Sequence, residues 1–239
     1  MKHITITLIT VFMTTFGFAQ NTDTFFKASD AFFKAHVKDG KVNYKAIKKN
    51  TAELDKILAS TNNITVNKSE ANTYQAFWIN IYNLSVIKGI VKNYPVKSPL
   101  DVKGFFDKTK HNVGGKKITL NDIEHKLLRG QFNSDPRFHF VLVCAGLGCP
   151  PIIAEAYMPN TLDKQLDRQT KIALNNDEFI KVNTRKKRVQ LSEIMKWYKE
   201  DFRQNGNEID FINKYREEKI AAKSKISYYP YNWKLNQTK

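Results

Sequence analysis

Between Ile123 and Pro151 the sequence concentrates side chains suited to proton and acyl transfer. They are Glu124, His125, Arg129, Asp135, Arg137, His139, Cys144 and the turn Gly146-Leu147-Gly148-Cys149-Pro150-Pro151. Both cysteines of the chain fall in this stretch. Cys149 follows an apolar run and a Gly-x-Gly turn, whose access to positive φ lets backbone amides converge on one point. A sulfur beside N–H groups able to hold an oxyanion has the surroundings of a thiolate nucleophile.

Such a thiol needs a base. If Leu120–Arg129 is helical, His125 lies three residues from Asp122 and four from Arg129 and shares their face. His125 is therefore the expected base, with Glu124 or Asp122 orienting its ring, and His139 is held in reserve. Alternation along a strand over 138–144 would turn His139 away from Cys144, where a core histidine held by a backbone or carboxylate partner is the plainer reading. Arg129 and Arg137 are candidate binding residues, although they and Glu124 are equally suited to structural ion pairs.

The two sulfurs have three states open to them. The one followed here is a pair of free thiols, Cys149 reactive and Cys144 in the core. A Cys144–Cys149 disulfide would suit an oxidising compartment but needs the Cα atoms within about 7 Å. A metal site from His125, His139, Cys144 and Cys149 matches no paired Cys-x-x-Cys or His-Glu-x-x-His spacing, so no metal is assigned. No cofactor is implied, since phosphate-binding Gly-rich loops and nucleotide fingerprints are absent.

These residues must be positioned by elements legible from periodicity. Apolar residues at helical spacing predict helices over Thr24–Ala35, Tyr44–Leu58 and Glu70–Asn93, the last capped by Ser69 and apolar almost all the way round. Asn80 and Asn83 interrupt that apolar helix. Amides in such surroundings must be paired, so they either clamp a loop backbone, with the Gly146–Pro151 turn as the candidate, or line a binding site. Gly114-Gly115 predicts a small hairpin, Thr119 a cap for Leu120–Arg129, and the continuous run Phe138–Cys144 a central strand covered on both faces. Leu162–Leu174 and the segment after Ser192 are predicted helices. Between them, Phe179–Asn183 and Val189–Leu191 flank Arg185-Lys186-Lys187-Arg188 as the exposed tip of a hairpin. No linker or repeat divides the chain, which gives one α+β domain with helices on a small, mostly antiparallel sheet.

With 239 residues, 41% of them hydrophobic, the chain is long enough for a sizeable core, which excludes a disordered tail or a disulfide-dense miniprotein. Met1–Ala19 has a basic start, an apolar stretch and small residues Gly17 and Ala19 before a cut, the pattern of a secretory signal peptide. The mature domain would then span residues 20–239 and be periplasmic or secreted, with no transmembrane segment. A net charge of +16 suits an anionic envelope surface as partner, without specific nucleic-acid recognition.

Several ordered motifs resemble one known family: Phe77-Trp78-Ile79-Asn80-x-Tyr82-Asn83, Val113-Gly114-Gly115, Ile123-Glu124-His125-x-x-Leu128-Arg129, Asp135-Pro136-Arg137-x-His139-Phe140, Cys149-Pro150, Trp197-Tyr198-x-x-Asp201-Phe202 and Tyr231-Asn232-Trp233-x-Leu235-Asn236. Together they are similar to the domain-of-unknown-function family 547, from about Phe25 to Asn236. The resemblance implies no established reaction, and it suggests a papain- or transglutaminase-like architecture. The chain departs from the family pattern at Gly148, where a polar residue, often Ser, usually precedes the Cys-Pro pair. The residues themselves lead to a cysteine-dependent hydrolase or acyltransferase acting on an amide or thioester of a small molecule or peptide. The alternative is a non-catalytic envelope protein that binds an anionic ligand.

Overall fold

A helix that is apolar on every side must be covered on every side, and helix α4, Ala71–Asn93, is the axis around which the first part of the chain is wrapped. The computed structural model describes the backbone of residues 7–239 and the side chains from Asn21 onward; of the leader expected over residues 1–19, residues 1–6 lie outside the described residues and the rest is described in backbone alone. Helix α1 (Thr7–His36) brings Phe25, Phe32 and Phe33 against this core, and a two-strand ribbon, β1 (Val37–Lys38) with β2 (Lys41–Val42), turns the chain back. Helices α2 (Tyr44–Lys49) and α3 (Ala52–Ser60) add Tyr44, Ile47, Leu54 and Ile57. The single helix expected over Tyr44–Leu58 is broken between them. Asn50 is extended at the end of α2, and its side chain accepts from the Ala52 amide. Glu70, not Ser69, holds the N-cap of α4, with no side-chain cap bond.

The hairpin of β3 (His111–Val113) and β4 (Lys116–Ile118) forms as expected, with Gly114 and Gly115 both at positive φ. Gly114 has no alternative. A Cβ there would stand 2.5 Å from the Trp78 ring. Thr119 caps the next helix, α5 (Leu120–Asp122), by accepting from the Asp122 amide. The continuation Ile123–Arg129 is wound as a π-helix, closed by Gly130 N–H donating to the His125 carbonyl.

The expected strand over Phe138–Cys144 is absent. Asp135 caps a 3-10 helix, Pro136–Phe140, with Pro136 at its start, so the chain enters the apolar run already helical. The run is buried on both sides as its composition demands, with Phe138, Phe140 and Val141 inaccessible. Its backbone is paired by a side chain instead of a sheet. Asn83 Nδ2 donates to the Val141 carbonyl at 2.9 Å and Asn83 Oδ1 accepts from the Val143 amide at 2.9 Å. Asn80 grips Tyr157 in the same two-handed way, at 2.8 and 3.0 Å. Both amides are thus backbone clamps, on 141–143 and 157 and not on the Gly146–Pro151 turn.

A second core forms under a three-stranded sheet in which β5 (Ile180–Asn183) pairs antiparallel with β6 (Arg188–Ser192), and β6 pairs parallel with β7 (Lys225–Tyr229). Helix α6 (Leu162–Leu174) precedes the sheet. The expected helix after Ser192 is divided into α7 (Glu193–Trp197) and α8 (Lys199–Phe202), followed by α9 (Glu208–Tyr215). Ile180, Val189, Leu191, Met195, Phe202 and Ile212 fill this core. The chain then returns to stitch its beginning to its middle. Asn236 accepts from the Val42 amide and donates to the Ala145 carbonyl, while Leu235 donates to the Lys97 carbonyl. The architecture is α+β in one unit, and no described helix is long and apolar enough to cross a membrane.

Asn83→Ala leaves the Val141 carbonyl and the Val143 amide buried without partners, and should cost about 2–4 kcal/mol of unfolding free energy. Urea denaturation of the variant checks this; an unchanged midpoint would mean that the 141–143 segment finds its partners elsewhere.

Candidate functional site

A cavity of about 480 Å³ opens where the two cores meet. The α4 side contributes Tyr82 and Leu142, the sheet side contributes Ile194 and Tyr231, and Cys149 packs against both cores. The chemistry-bearing residues that line it are Asp107, Glu124, His139, Cys144, Cys149 and Tyr198.

Cys144 and Cys149 are joined in a disulfide, with Cα atoms 6.4 Å apart, so the expectation of two free thiols is corrected. The bridge is feasible because Cys144 does not sit in a strand. The irregular turn that replaces it, with Ala145 at positive φ, carries the chain round quickly enough to bring the two Cα atoms into range. Tyr231 lies over the bridge, its hydroxyl 2.7 Å from Cys144 Sγ and 2.9 Å from Cys149 Sγ, and burial pushes its own pKa up.

The turn does not present converging amides. Leu147 N–H donates to the Lys234 carbonyl, Gly148 N–H to Asn232 and Cys149 N–H to Gly146, so three of the amides expected as oxyanion donors are engaged. What stands beside the sulfur instead is the Cys144 amide, 3.0 Å from Cys149 Sγ, together with the Tyr231 hydroxyl. The departure at Gly148 has a steric reason. A Cβ there would stand 2.8 Å from the Asn232 nitrogen and 2.9 Å from the Tyr231 ring, so the returning C-terminal segment admits only glycine.

His125 is not the histidine of the cavity. Its Nδ1 accepts from Arg129 Nη1 at 2.7 Å, and its side chain is largely outside. Asp122 pairs with Lys126 instead of orienting it. Glu124 stands 4.0 Å from His125 Nδ1 and faces the cavity, which Tyr198 also lines. Adjacent on the helix, the two residues point apart, Glu124 buried and His125 exposed, while His125 does share a face with Arg129 as expected.

His139, the reserve, lines the cavity with the cysteines. Its Nε2 is 2.7 Å from Asp201 Oδ2, and its ring stacks on Tyr198 with centroids 3.9 Å apart. Asp201 also receives Arg129 in a bidentate pair, at 2.7 and 2.8 Å. Burial opposes charge on Asp201, but hydrogen bonds from His139 and Arg129 outweigh it and hold the carboxyl down at about 2. An ionised carboxylate can only accept, so His139 Nε2 carries the proton and Nδ1 is left as the basic nitrogen. Arg129 neutralises Asp201, which therefore fixes the imidazole more than it charges it.

The remaining expected site residues lie elsewhere. Arg137 is consumed by Asp135, Asp163 and Asp167, at 2.7–2.8 Å from each. Asn80 and Asn83 serve as the backbone clamps described above. The four residues of the metal reading are not brought together, and among the described residues no group of three or more His, Cys, Asp or Glu is arranged to hold a metal ion. Asp201, Tyr198, Tyr231, Trp197 and Trp233 were assigned no role from sequence, although the Trp197-Tyr198-x-x-Asp201 and Tyr231-Asn232-Trp233 motifs were visible there.

Because Asp201 has a lower pKa folded than the ordinary 3.8, its ionised form stabilises the folded chain by about 2 kcal/mol above about pH 4, a contribution lost as pH falls through about 2. Asp201→Asn also strands Arg129 and should cost about 3 kcal/mol at neutral pH. Urea midpoints of both proteins should converge below about pH 4, and a constant gap down to about pH 2 would show that the carboxylate is not coupled to folding.

Residues 66–172 match the family described as "Protein of unknown function, DUF547". No curated protein and no solved structure matches the chain.

Proposed function

From a chain that carries a domain of the DUF547 family, for which no reaction is given, we propose a cysteine-dependent acyl-transferring or hydrolytic enzyme whose nucleophile is held as a disulfide at rest. The observation that carries this reading is the single cavity shared by Cys149 and a histidine fixed by an ionised carboxylate, His139–Asp201. A dithiol reductant would cleave the Cys144–Cys149 bond, becoming a disulfide itself and leaving two thiols. His139 Nδ1 then takes the Cys149 proton, and the thiolate attacks the carbonyl carbon of a thioester or amide. The protonated imidazole returns that proton to the departing thiol or amine, and water or an acceptor amine releases the acyl group from Cys149. The Tyr231 hydroxyl and the Cys144 amide are the donors nearest the sulfur and are assigned to the developing oxyanion.

The bridge also supports placing the protein in an oxidising compartment outside the cytosol, in keeping with the leader read over Met1–Ala19. The chain isolated from its source should then begin at Gln20, and an intact Met1 in the functional protein would remove this placement. The anionic-ligand alternative finds no support in the cavity, whose lining contains no Lys or Arg.

The test uses an activated aryl thioester, with and without dithiol. Wild type should turn over only after reduction, Cys144→Ser should be active without it, and Cys149→Ala should be inactive. His139→Gln should lose about 100-fold or more in kcat with KM little changed. Undiminished turnover in Cys149→Ala, or none in reduced wild type, would overturn the proposal.

A further inference from the structure

The cavity has a second wall, of which the proposed reaction uses only the Tyr231 hydroxyl. Trp197, Tyr231 and Trp233 form a contiguous aromatic group, with ring centroids 4.5 Å apart for Tyr231–Trp233, 5.1 Å for Trp197–Tyr231 and 6.0 Å for Trp197–Trp233. Phe106 extends it, 6.2 Å from Trp233. All four line the cavity, and Trp197 is 47% exposed at its edge. Folding leaves Trp197 in water there and Phe106 and Trp233 only partly covered, which marks a place where another molecule can cover them.

The charges of the same cavity have one sign. Glu124 is nearly buried and faces in, Asp107 stands exposed at the mouth, and the lining has no Lys or Arg. Arg129, on the same helix as Glu124, has its fork occupied by Asp201 and His125. A chain of net charge +16 has thus kept its cations out of this cavity, where rings and carboxylates converge. An anion would be repelled there, and a neutral ligand would leave the carboxylates without use. A bare ammonium needs three acceptors, whereas the wall is mostly ring faces. An alkylated ammonium needs few acceptors and is attracted by ring faces.

We infer that this wall is a recognition subsite for an alkylammonium group carried by the substrate. As a statement about substrate it rests on the reaction proposed above. As a statement about binding it is measured on the oxidised protein, in which Cys149 is bridged and no turnover runs, so the two can fail separately.

The probes are choline and its neutral isostere 3,3-dimethyl-1-butanol, followed by tryptophan fluorescence and calorimetry on the oxidised wild-type chain. Choline should bind about tenfold more tightly than the alcohol. Its affinity, unlike that of the alcohol, should weaken as salt rises. Glu124→Gln and Trp233→Leu should each weaken choline several-fold, with circular dichroism confirming the fold. Equal affinity for the two probes, or no binding of either, would overturn the subsite while leaving the thioester assay to judge the reaction.

Discussion

Two carboxamides inside an apolar helix set the terms for this fold. Asn80 and Asn83 are fully or almost fully buried on α4, and an unpaired amide there would cost more than most single contacts in the core return. Each is satisfied by taking one carbonyl and one amide from a distant irregular segment. The chain between Pro136 and Tyr157 can therefore be buried without belonging to a sheet, because α4 supplies the polar partners that neighbouring strands would otherwise provide. The Cys144–Cys149 turn hangs between these two clamps, so the placement of the sulfurs traces back to α4.

The second constraint is electrostatic and joins the two cores. Asp201 belongs to α8, under the sheet, whereas Arg129 and His139 come from the π-helix and the 3-10 helix that lean on α4. A buried carboxylate is tolerated because a bidentate guanidinium and an imidazole meet it, and breaking one partner would leave an uncompensated charge. The tie draws the edges of the cores together only along one line. Beside that line the space stays open as the cavity, and Tyr231, whose amide is held by Glu193, closes over the disulfide.

Periodicity made the helices legible, and composition made the buried amides legible as clamps. The hairpins at Gly114-Gly115 and around Arg185–Arg188 followed from turn chemistry. What could not be seen was anything decided by long-range pairing. The run Phe138–Cys144 has strand composition, yet Pro136 and Asp135 start it as a helix and Asn83, some 60 positions away in sequence, takes its backbone. His125 looked like the base because it shares a face with Arg129; that contact forms, but on the exposed side of the helix, where Arg129 takes its Nδ1. His139 was placed second because alternation was assumed for a strand that does not form. Asp201 was invisible as its partner because 62 residues separate them.

The family match and the site do not have the same extent, and the difference is physical. Residues 66–172 supply Tyr82, Glu124, His139 and both cysteines. Asp201 and Tyr198, which fix His139 and engage Glu124, lie beyond it, as do Trp197, Tyr231 and Trp233. Cut at the match, the chain would keep a thiol and an imidazole but lose the carboxylate that sets the tautomer and the rings that shape the cavity. The Gly148 amide would lose its acceptor at Asn232 and the disulfide its cover. The unit that could do chemistry is therefore the whole two-core body closed by its C-terminal return, consistent with motifs that run from Phe77 to Asn236.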